Sequence, residues 1–382
     1  MSARPRVRTF RRDDRDQLTD LVNSHLSAVV PGARLSVNSV LGSLERQPDE
    51  HVVDPWVVER ATFVVESRHR VVGAAHLHRF TAGPEASDDY RGAGLVQWLL
   101  VTPPDDEDPE QSAEARAAAD ALTAACHAQL AAWQVRVAYA DGQLPFAGVY
   151  GVPEQWPHVR EALVRAGFRP GEHAETVLLA PTSALPHAVA VPDDVALRRT
   201  LGPGGGVRFT AHRGAETAAY VEIDTTLGRA ERQAATGGTA ELVDLAPGPG
   251  SDDALLAGVL AEARAWLELA GVHRVLVGTD ATDHEEIAQL RAWGFRELTT
   301  VSRGWRLARQ SRAAIEQAKG IIALAYRVTP DAAFASLRRS SSLANVKVRD
   351  IAESIVAVAQ DLPAGADPRP ALDRVLAGVQ AA

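Results

Sequence analysis

The sequence is poor in cysteine, in long apolar runs and in positive charge, and each shortage narrows what the chain can be. Cysteine occurs once, at Cys126, so no intrachain disulfide exists. A reducing interior, and hence a cytoplasmic location, is the expectation. No run of about 18 or more apolar residues occurs, so no membrane span or membrane partner is expected. The N-terminus MSARPRVRTFRRDDRD is basic, but no apolar stretch follows it, so a secretory signal is not expected either. The formal net charge of −9 excludes a chain built wholly for nucleic acid.

The 382 residues leave room for two or three domains, and 46% hydrophobic with 23% charged residues is ordinary for globular protein. The charge, however, is unevenly spread. From Arg309 to Gln360 eight basic residues stand against four acidic ones, a net of +4, so the remainder carries −13. That asymmetry predicts an anionic partner for the tail alone.

The first segment reads as strand VRTF, an amphipathic helix over Asp13 to Val29, and a hairpin of TFVVES and VVGAAHLHRF. The buried strand GLVQWLLV, an alanine-rich helix from Ala113 to Trp133, and VRVAYA follow. A helix over His158 to Ala166, a glycine stop at Gly167 and a final strand TVLLA close it. PTSALPHAVAVPDD, with three prolines, reads as a linker. The second segment repeats the order: hairpin RFTAHRG and TAAYVEID, central strand TAELVDLA, helix Asp253 to Ala270, strand HRVLVGT, a short helix ending in WGF, and LTTVSRGWRL. VREALVRAGFRPG in the first unit answers EIAQLRAWGFREL in the second, the mark of a tandem duplication.

This order, with AGF and WGF in register, resembles the GNAT acyltransferase fold over roughly the first 308 residues. The resemblance implies two α/β mixed-sheet units, 1–181 and 195–308. It also implies a glycine-bearing turn between central strand and long helix, where backbone N–H groups meet the pyrophosphate of acetyl-CoA. In the first unit that turn reads TPPDDEDPEQSAEAR, without glycine and crowded with carboxylates, so the cofactor loop is degenerate. The second reads LAPGPGSDDALLAG, where Gly248, Gly250 and Ser251 are the candidate cofactor-binding residues and a plain capped loop is the simpler reading. Acetyl-CoA is therefore admitted only in the second unit, and no cofactor is assigned with certainty. The tyrosine that many family members use as general acid is replaced by Leu163 and Leu290. Glu222, read as a solvated edge-strand residue, is a weak alternative base. His76 and His78 share one strand face, but no third metal ligand is evident. Catalytic residues stay unassigned, and no metal site is assigned.

The tail reads as three short amphipathic helices. Ile315, Ala318, Ile322 and Ala325 form one stripe; Thr329-Pro330 starts the second helix, with Ala333, Phe334 and Leu337 inward. Asn345 precedes a third carrying Val348, Ile351, Ala352, Ile355 and Val356 at i, i+3, i+4, i+7, i+8. The stretch IEQAKGIIALAYRVTPDAAFASLRRSSSLANVKVRDIAESIV closely resembles the ANTAR domain, through QAKG, AF-x-x-LR and N-x-K-x-RDIA. That implies an all-α three-helix RNA-binding domain over 309–360, with 361–382 a short tail. It also implies a hairpin in nascent transcripts as partner, antitermination as function, and homodimers through this domain. Lys319, Arg338, Arg339, Asn345, Lys347 and Arg349 are the candidate RNA-binding residues, with Gln317 and Ser341 as readers of base edges. Tyr326 and Phe334 are the only aromatics there, so no broad stacking platform is expected. Gly320, mid-helix, predicts close approach of another helix or of RNA.

The expectation is thus an RNA-binding antitermination regulator with tandem GNAT-like units as sensor or scaffold for a small-molecule or acyl-CoA ligand. The competing reading is an N-acyltransferase regulated by its tail. A chain used only for protein contacts ranks third.

Overall fold

The computed structural model describes residues 5–45, 54–105, 107–146, 148–187, 189–203, 206–225, 238–247, 253–307, 311–344, 346, 348–363 and 367–377. It divides into two compact units, 1–307 and 308–382.

The first unit opens with β1 (Arg6–Thr9), α1 (Arg15–Val29), α2 (Val37–Ser43), β2 (Val57–Ser67), β3 (Arg70–Phe80) and β4 (Gly94–Val101). Then come α3 (Pro109–Ala132), β5 (Ala138–Ala140), β6 (Val152–Pro153), α4 (Pro157–Arg165), β7 (Phe168–Arg169) and β8 (Ala174–Pro181). The repeat follows as β9 (Val195–Leu201), β10 (Val207–Arg213), β11 (Glu216–Asp224), β12 (Thr239–Pro247) and α5 (Asp253–Leu269). It ends with β13 (Arg274–Asp280), α6 (His284–Ala292), β14 (Arg296–Ser302) and β15 (Trp305–Leu307). Two mixed sheets result, ordered β1-β2-β3-β4-β5-β15-β7 and β6-β14-β8-β13-β12-β11-β10-β9.

The sheets exchange strands. TVLLA, expected to close the first unit, lies in β8, and β8 sits between β13 and β14 of the second sheet, antiparallel to both. In return WRL forms β15, which fills the first sheet between β5 and β7. The cores follow the strands. Leu276, Val301 and Trp305 belong to the first core, and Leu178, Ala180 and Leu185 to the second. The expected linker is also packed: Thr182 N donates to the His273 carbonyl at 2.9 Å, and Arg264 Nη1 to that of Leu185 at 2.8 Å.

The two outgoing segments cross where Gly171 N donates to the Arg303 carbonyl (3.1 Å) and Arg303 N to that of His173 (3.3 Å). A Cβ on Gly171 would lie 2.9 Å from the Arg303 carbonyl oxygen, and Gly304 turns with φ +62. Backbone on backbone leaves no side chain to yield there.

The second unit contains α7 (Ser311–Tyr326), α8 (Pro330–Ala344), α9 (Val348–Asp361) and α10 (Arg369–Leu376). The segment expected to be a tail thus carries a fourth helix, and its Leu372 is fully buried with Ala318, Ile322, Leu337 and Ile355.

The crossing yields a stability test. All seven tryptophans lie within 1–307, so their fluorescence reports the α/β unit alone. Gly171→Ala should destabilise that unit by about 1–3 kcal/mol in urea. Gly42→Ala, in α2 with nothing within 4 Å of the added carbon, should be neutral or stabilising by up to about 1 kcal/mol. Equal effects at both positions would remove the crossing as a constraint.

Candidate nucleic-acid interface and cofactor clefts

The helical unit is built by its caps and its core. Arg327, in the left-handed region at φ 55, ends α7, and Val328 N donates back to the Ala323 carbonyl at 3.1 Å. Thr329 Oγ1 accepts from Ala332 N at 3.2 Å and starts α8, with Pro330 at its first position. Ala318, Ile322, Ala333, Leu337, Ile351, Ala352, Ile355 and Val356 of the predicted stripes are buried, Ile315, Ala325 and Val348 partly so, and Phe334 departs from them. Phe334 is 36% exposed, because it lies beneath the Lys319 ammonium, 5.7 Å from the ring centroid, instead of in the core.

The candidate cations differ in how free they are. Arg338 and Arg339 are both exposed on α8, and neither pairs with an acid among the described residues. Lys319 is occupied: its Nζ meets Glu316 at 2.9 and 3.0 Å, and the side chain is only 17% exposed. A phosphate there has to displace Glu316. Arg349 falls in the first turn of α9; its side chain, Asn345 and Lys347 lie outside the described residues. Ser341 spends its hydroxyl on the Val346 carbonyl at 2.6 Å, closing the turn into α9. A methyl group added at Gly320 would meet nothing within 4 Å, so packing inside the bundle does not require glycine there. Gly320 opens instead onto a groove with Gln317, Ile321, Leu324, Val356 and Ala359, and Leu324 is 84% exposed.

In the α/β unit the acidic turn before α3 uses its own carboxylates on the helix N-terminus. Asp108 Oδ1 accepts from Glu110 N and Gln111 N, both at 3.0 Å, and Asp105 Oδ1 from Glu107 N at 3.0 Å. These are the donors that an anion would otherwise meet. The parallel β4–β5 pair continues past its last paired residues, with Asp141 N to the Val96 carbonyl (2.8 Å) and Gln143 N to that of Gln97 (3.2 Å). Leu144, Phe146 and Val149, which follow β5, are buried in the first core. In the second half the candidate residues Gly248, Gly250 and Ser251 lie outside the described residues. Leu163 and Leu290 are buried core residues. Glu222 departs from its expected solvated edge position. β11 is central, and Glu222 is 1% exposed and bound by Arg208 at 2.8 Å, because a buried carboxylate needs a charged partner.

Four histidines form two pairs, each of one buried and one half-buried ring. His76 and His78 meet Nε2 to Nε2 at 3.0 Å, with His76 Nδ1 on Thr62 Oγ1 at 2.8 Å and its ring stacked on Trp98. His25 faces His158 Nε2 to Nε2 at 3.1 Å, with its Nδ1 2.8 Å from the Leu21 carbonyl. That carbonyl only accepts, so His25 carries its proton on Nδ1, and His158 donates between the rings. Among the described residues no group of three or more His, Cys, Asp or Glu is placed to hold a metal.

Residues 305–356 match the ANTAR domain family. The α/β unit has the tandem GNAT fold, shared with several solved structures. One is a tandem GNAT protein from the clavulanic acid biosynthesis pathway, 18% identical, covering 80% of this chain and 99% of that one with a TM-score of 0.52. A GCN5-related N-acetyltransferase from Sphaerobacter thermophilus is 13% identical over 80% of this chain and 96% of its own, TM-score 0.51. A GCN5-related glucosamine N-acetyltransferase region of a fungal multi-domain GH3 beta-N-acetylglucosaminidase is 13% identical with TM-score 0.52, and this chain spans 38% of that longer protein. No curated protein matches the sequence. Among the described residues no helix is long and apolar enough to cross a membrane.

Burial holds the His25 imidazole down to about 4 and that of His76 to about 3, below the ordinary 6.5. The unfolded chain then binds more protons than the folded one below pH 6.5, so stability falls as pH drops from about 6.5 towards 4. Melting followed by tryptophan fluorescence should show that loss, and a smaller slope in His25→Gln and His76→Gln. An unchanged slope in both variants would refute this account of acid sensitivity.

Proposed function

We propose that the protein is an RNA-binding antitermination regulator whose helical domain, 309–360, grips a hairpin in nascent RNA. Its two GNAT-like domains, 1–181 and 195–308, act as sensor or scaffold. The observation that carries the reading is the ANTAR match, which spans the whole motif set on a unit whose exposed Arg338 and Arg339 are free of described acids. Lys347 and Arg349 supply further phosphate contacts around the α8–α9 turn, Asn345 a base contact, and Lys319 one conditional on leaving Glu316. A cytoplasmic location follows from that role.

The acyltransferase reading has less support. The α3 N-terminus is already capped by Asp108, and like charges facing an incoming pyrophosphate cost several kcal/mol. The groove around Gly320 and the exposed Leu324 support a homodimer through α7, since one side of that helix packs inside the bundle and the other is apolar and open.

Two measurements test this reading. Lys347→Ala with Arg349→Ala should weaken hairpin binding and lower the slope of log K against log salt by about two units, as should Arg338→Ala with Arg339→Ala. An unchanged slope in variants still helical by circular dichroism removes those residues from the interface. Sedimentation should show a dimer, with or without hairpin RNA, that Leu324→Glu converts to monomer; a wild-type monomer under both conditions overturns the homodimer.

A further inference from the structure

Each sheet ends on two edge strands among the described residues, β1 and β7 in the first and β6 and β9 in the second. β6 and β7 are two residues each, and β1 holds its Arg8 on Asp14 at 2.7 Å and Glu66 at 2.9 Å. β9 is the long edge, seven residues paired with β10 alone. Its Ala196, Arg198, Arg199, Thr200 and Leu201 are exposed, Leu201 to 79%. Gly202 N donates to the Gly206 carbonyl at 2.8 Å, and the β9–β10 register runs on from there without a shift. The backbone groups of Ala196, Arg198 and Thr200 therefore face β10, and those of Leu197, Arg199 and Leu201 face outwards. An open edge of this length is a template for another strand.

The charges along this edge are antisymmetric. Asp193-Asp194-Val195-Ala196-Leu197-Arg198-Arg199 carries two acids before its midpoint and two bases after it. Two copies of β9 meeting antiparallel about a two-fold have to match outward-facing residues with outward-facing ones, so the allowed registers are those centred on a residue. Centred on Ala196, the pairing sets Asp193 against Arg199, Asp194 against Arg198 and Val195 against Leu197. Centred on Leu197 it leaves Arg199 against Val195, and centred on Arg198 it sets that arginine against itself. Asp193 and Arg198 have no ion pair among the described residues, and Arg199 has only the Trp266 ring, 6.0 Å away. Asp194 meets Arg213 at 2.9 Å in an exposed pair. Both acids lie in the turn that starts β9, where Val195 N donates to the Pro192 carbonyl at 2.9 Å. The shared ladder is therefore short, and the charges flank it.

We propose that β9 is a self-docking edge, on which two copies of the chain pair antiparallel about Ala196 and join their second sheets. A foreign strand of one charge sign satisfies either the acids or the arginines and repels the other set; a second copy satisfies both. Leu197 N donates to the Val195 carbonyl of the second copy, and the two-fold makes that bond twice. A short ladder flanked by exposed ion pairs is weak, so the contact forms at about 0.1–1 mM protein, above the range in which α7 pairs the chains. The inference is independent of the RNA-binding reading. Two different two-fold contacts on one chain link dimers to each other, so assembly then passes two copies.

Sedimentation equilibrium on the full chain tests it in the Leu324→Glu background, where the α7 contact is removed and each self-contact is read apart from the other. That chain, monomeric at micromolar concentration, should associate to dimers towards about 1 mM at low salt. In about 0.5 M sodium chloride, which screens exposed charges, it should associate less. Asp193→Arg with Asp194→Arg, and separately Arg198→Asp with Arg199→Asp, should each weaken association about tenfold or more, because like charges then face each other. An equimolar mixture of these two variants should restore it, since every acid again meets an arginine. Circular dichroism checks that each variant keeps its fold. The single swap of Asp193→Arg mixed with Arg199→Asp, which leaves the Asp194–Arg213 pair intact, repeats the test with a smaller effect. No association of the Leu324→Glu chain at about 1 mM, undiminished association of both charge-reversed variants, or no recovery in the mixtures overturns the proposal.

Discussion

The crossing of two backbone segments at Gly171 and Gly304 is the constraint on which the α/β unit depends. It lets β8 leave the first half for the second sheet and β15 make the return journey, so neither sheet is complete without the other half of the chain. Buried tryptophan illustrates the consequence. Trp305 comes from the second half yet is buried in the first core, where truncating such a side chain typically costs about 3–5 kcal/mol. The same crossing carries Arg303 into the wall of the β12–β13 cavity before the chain enters the helical unit.

The elements themselves were legible in the sequence; their exchange was not. Alternation, caps and the AGF and WGF turns define strands and helices locally, and Thr329-Pro330 marks the start of α8 in the sequence and in the structure alike. A continuous apolar strand such as TVLLA carries no information about its neighbours, because a central strand is buried on both faces in either sheet. Glu222 misled for a related reason. Its burial depends on Arg208 across the β10–β11 pair, a partner that charge patterning along one strand does not reveal. The Tyr150–Glu241 contact joins the two halves and leaves no local signal at all. α10 had one, since Ala371, Leu372, Val375 and Leu376 repeat at helical spacing behind a proline, but eight residues make a short stretch to read.

Electrostatics separates the two halves of the tandem as clearly as topology does. The first half answers its own helix dipole with Asp108, a stabilising arrangement at an N-terminus. The second half keeps a cavity beside the diverging strands β12 and β13, where Glu241 accepts from the Tyr150 hydroxyl. One copy is therefore closed at its helix N-terminus by its own side chains, and the other keeps a cavity between its strands. Duplication allows this division, because mutual strand exchange ties the stability of the open copy to the core of the closed one.

Glycine draws the same line between what the chain supplies and what it leaves for another molecule. At Gly171 a methyl group would strike backbone oxygen, so the fold itself accounts for the residue. At Gly320 the corresponding space is empty, although glycine within a helix costs about 1 kcal/mol relative to alanine. Nothing inside the described bundle recovers that cost. Close approach is the usual return on a helical glycine, and within the described bundle nothing approaches Gly320. The exposed Leu324 one turn further along places an apolar surface beside that opening, which suits a packed helix better than a phosphate backbone. The exposed cations Arg338 and Arg339 lie on a different helix, α8, so the apolar opening and the free positive charge occupy separate elements of one small bundle.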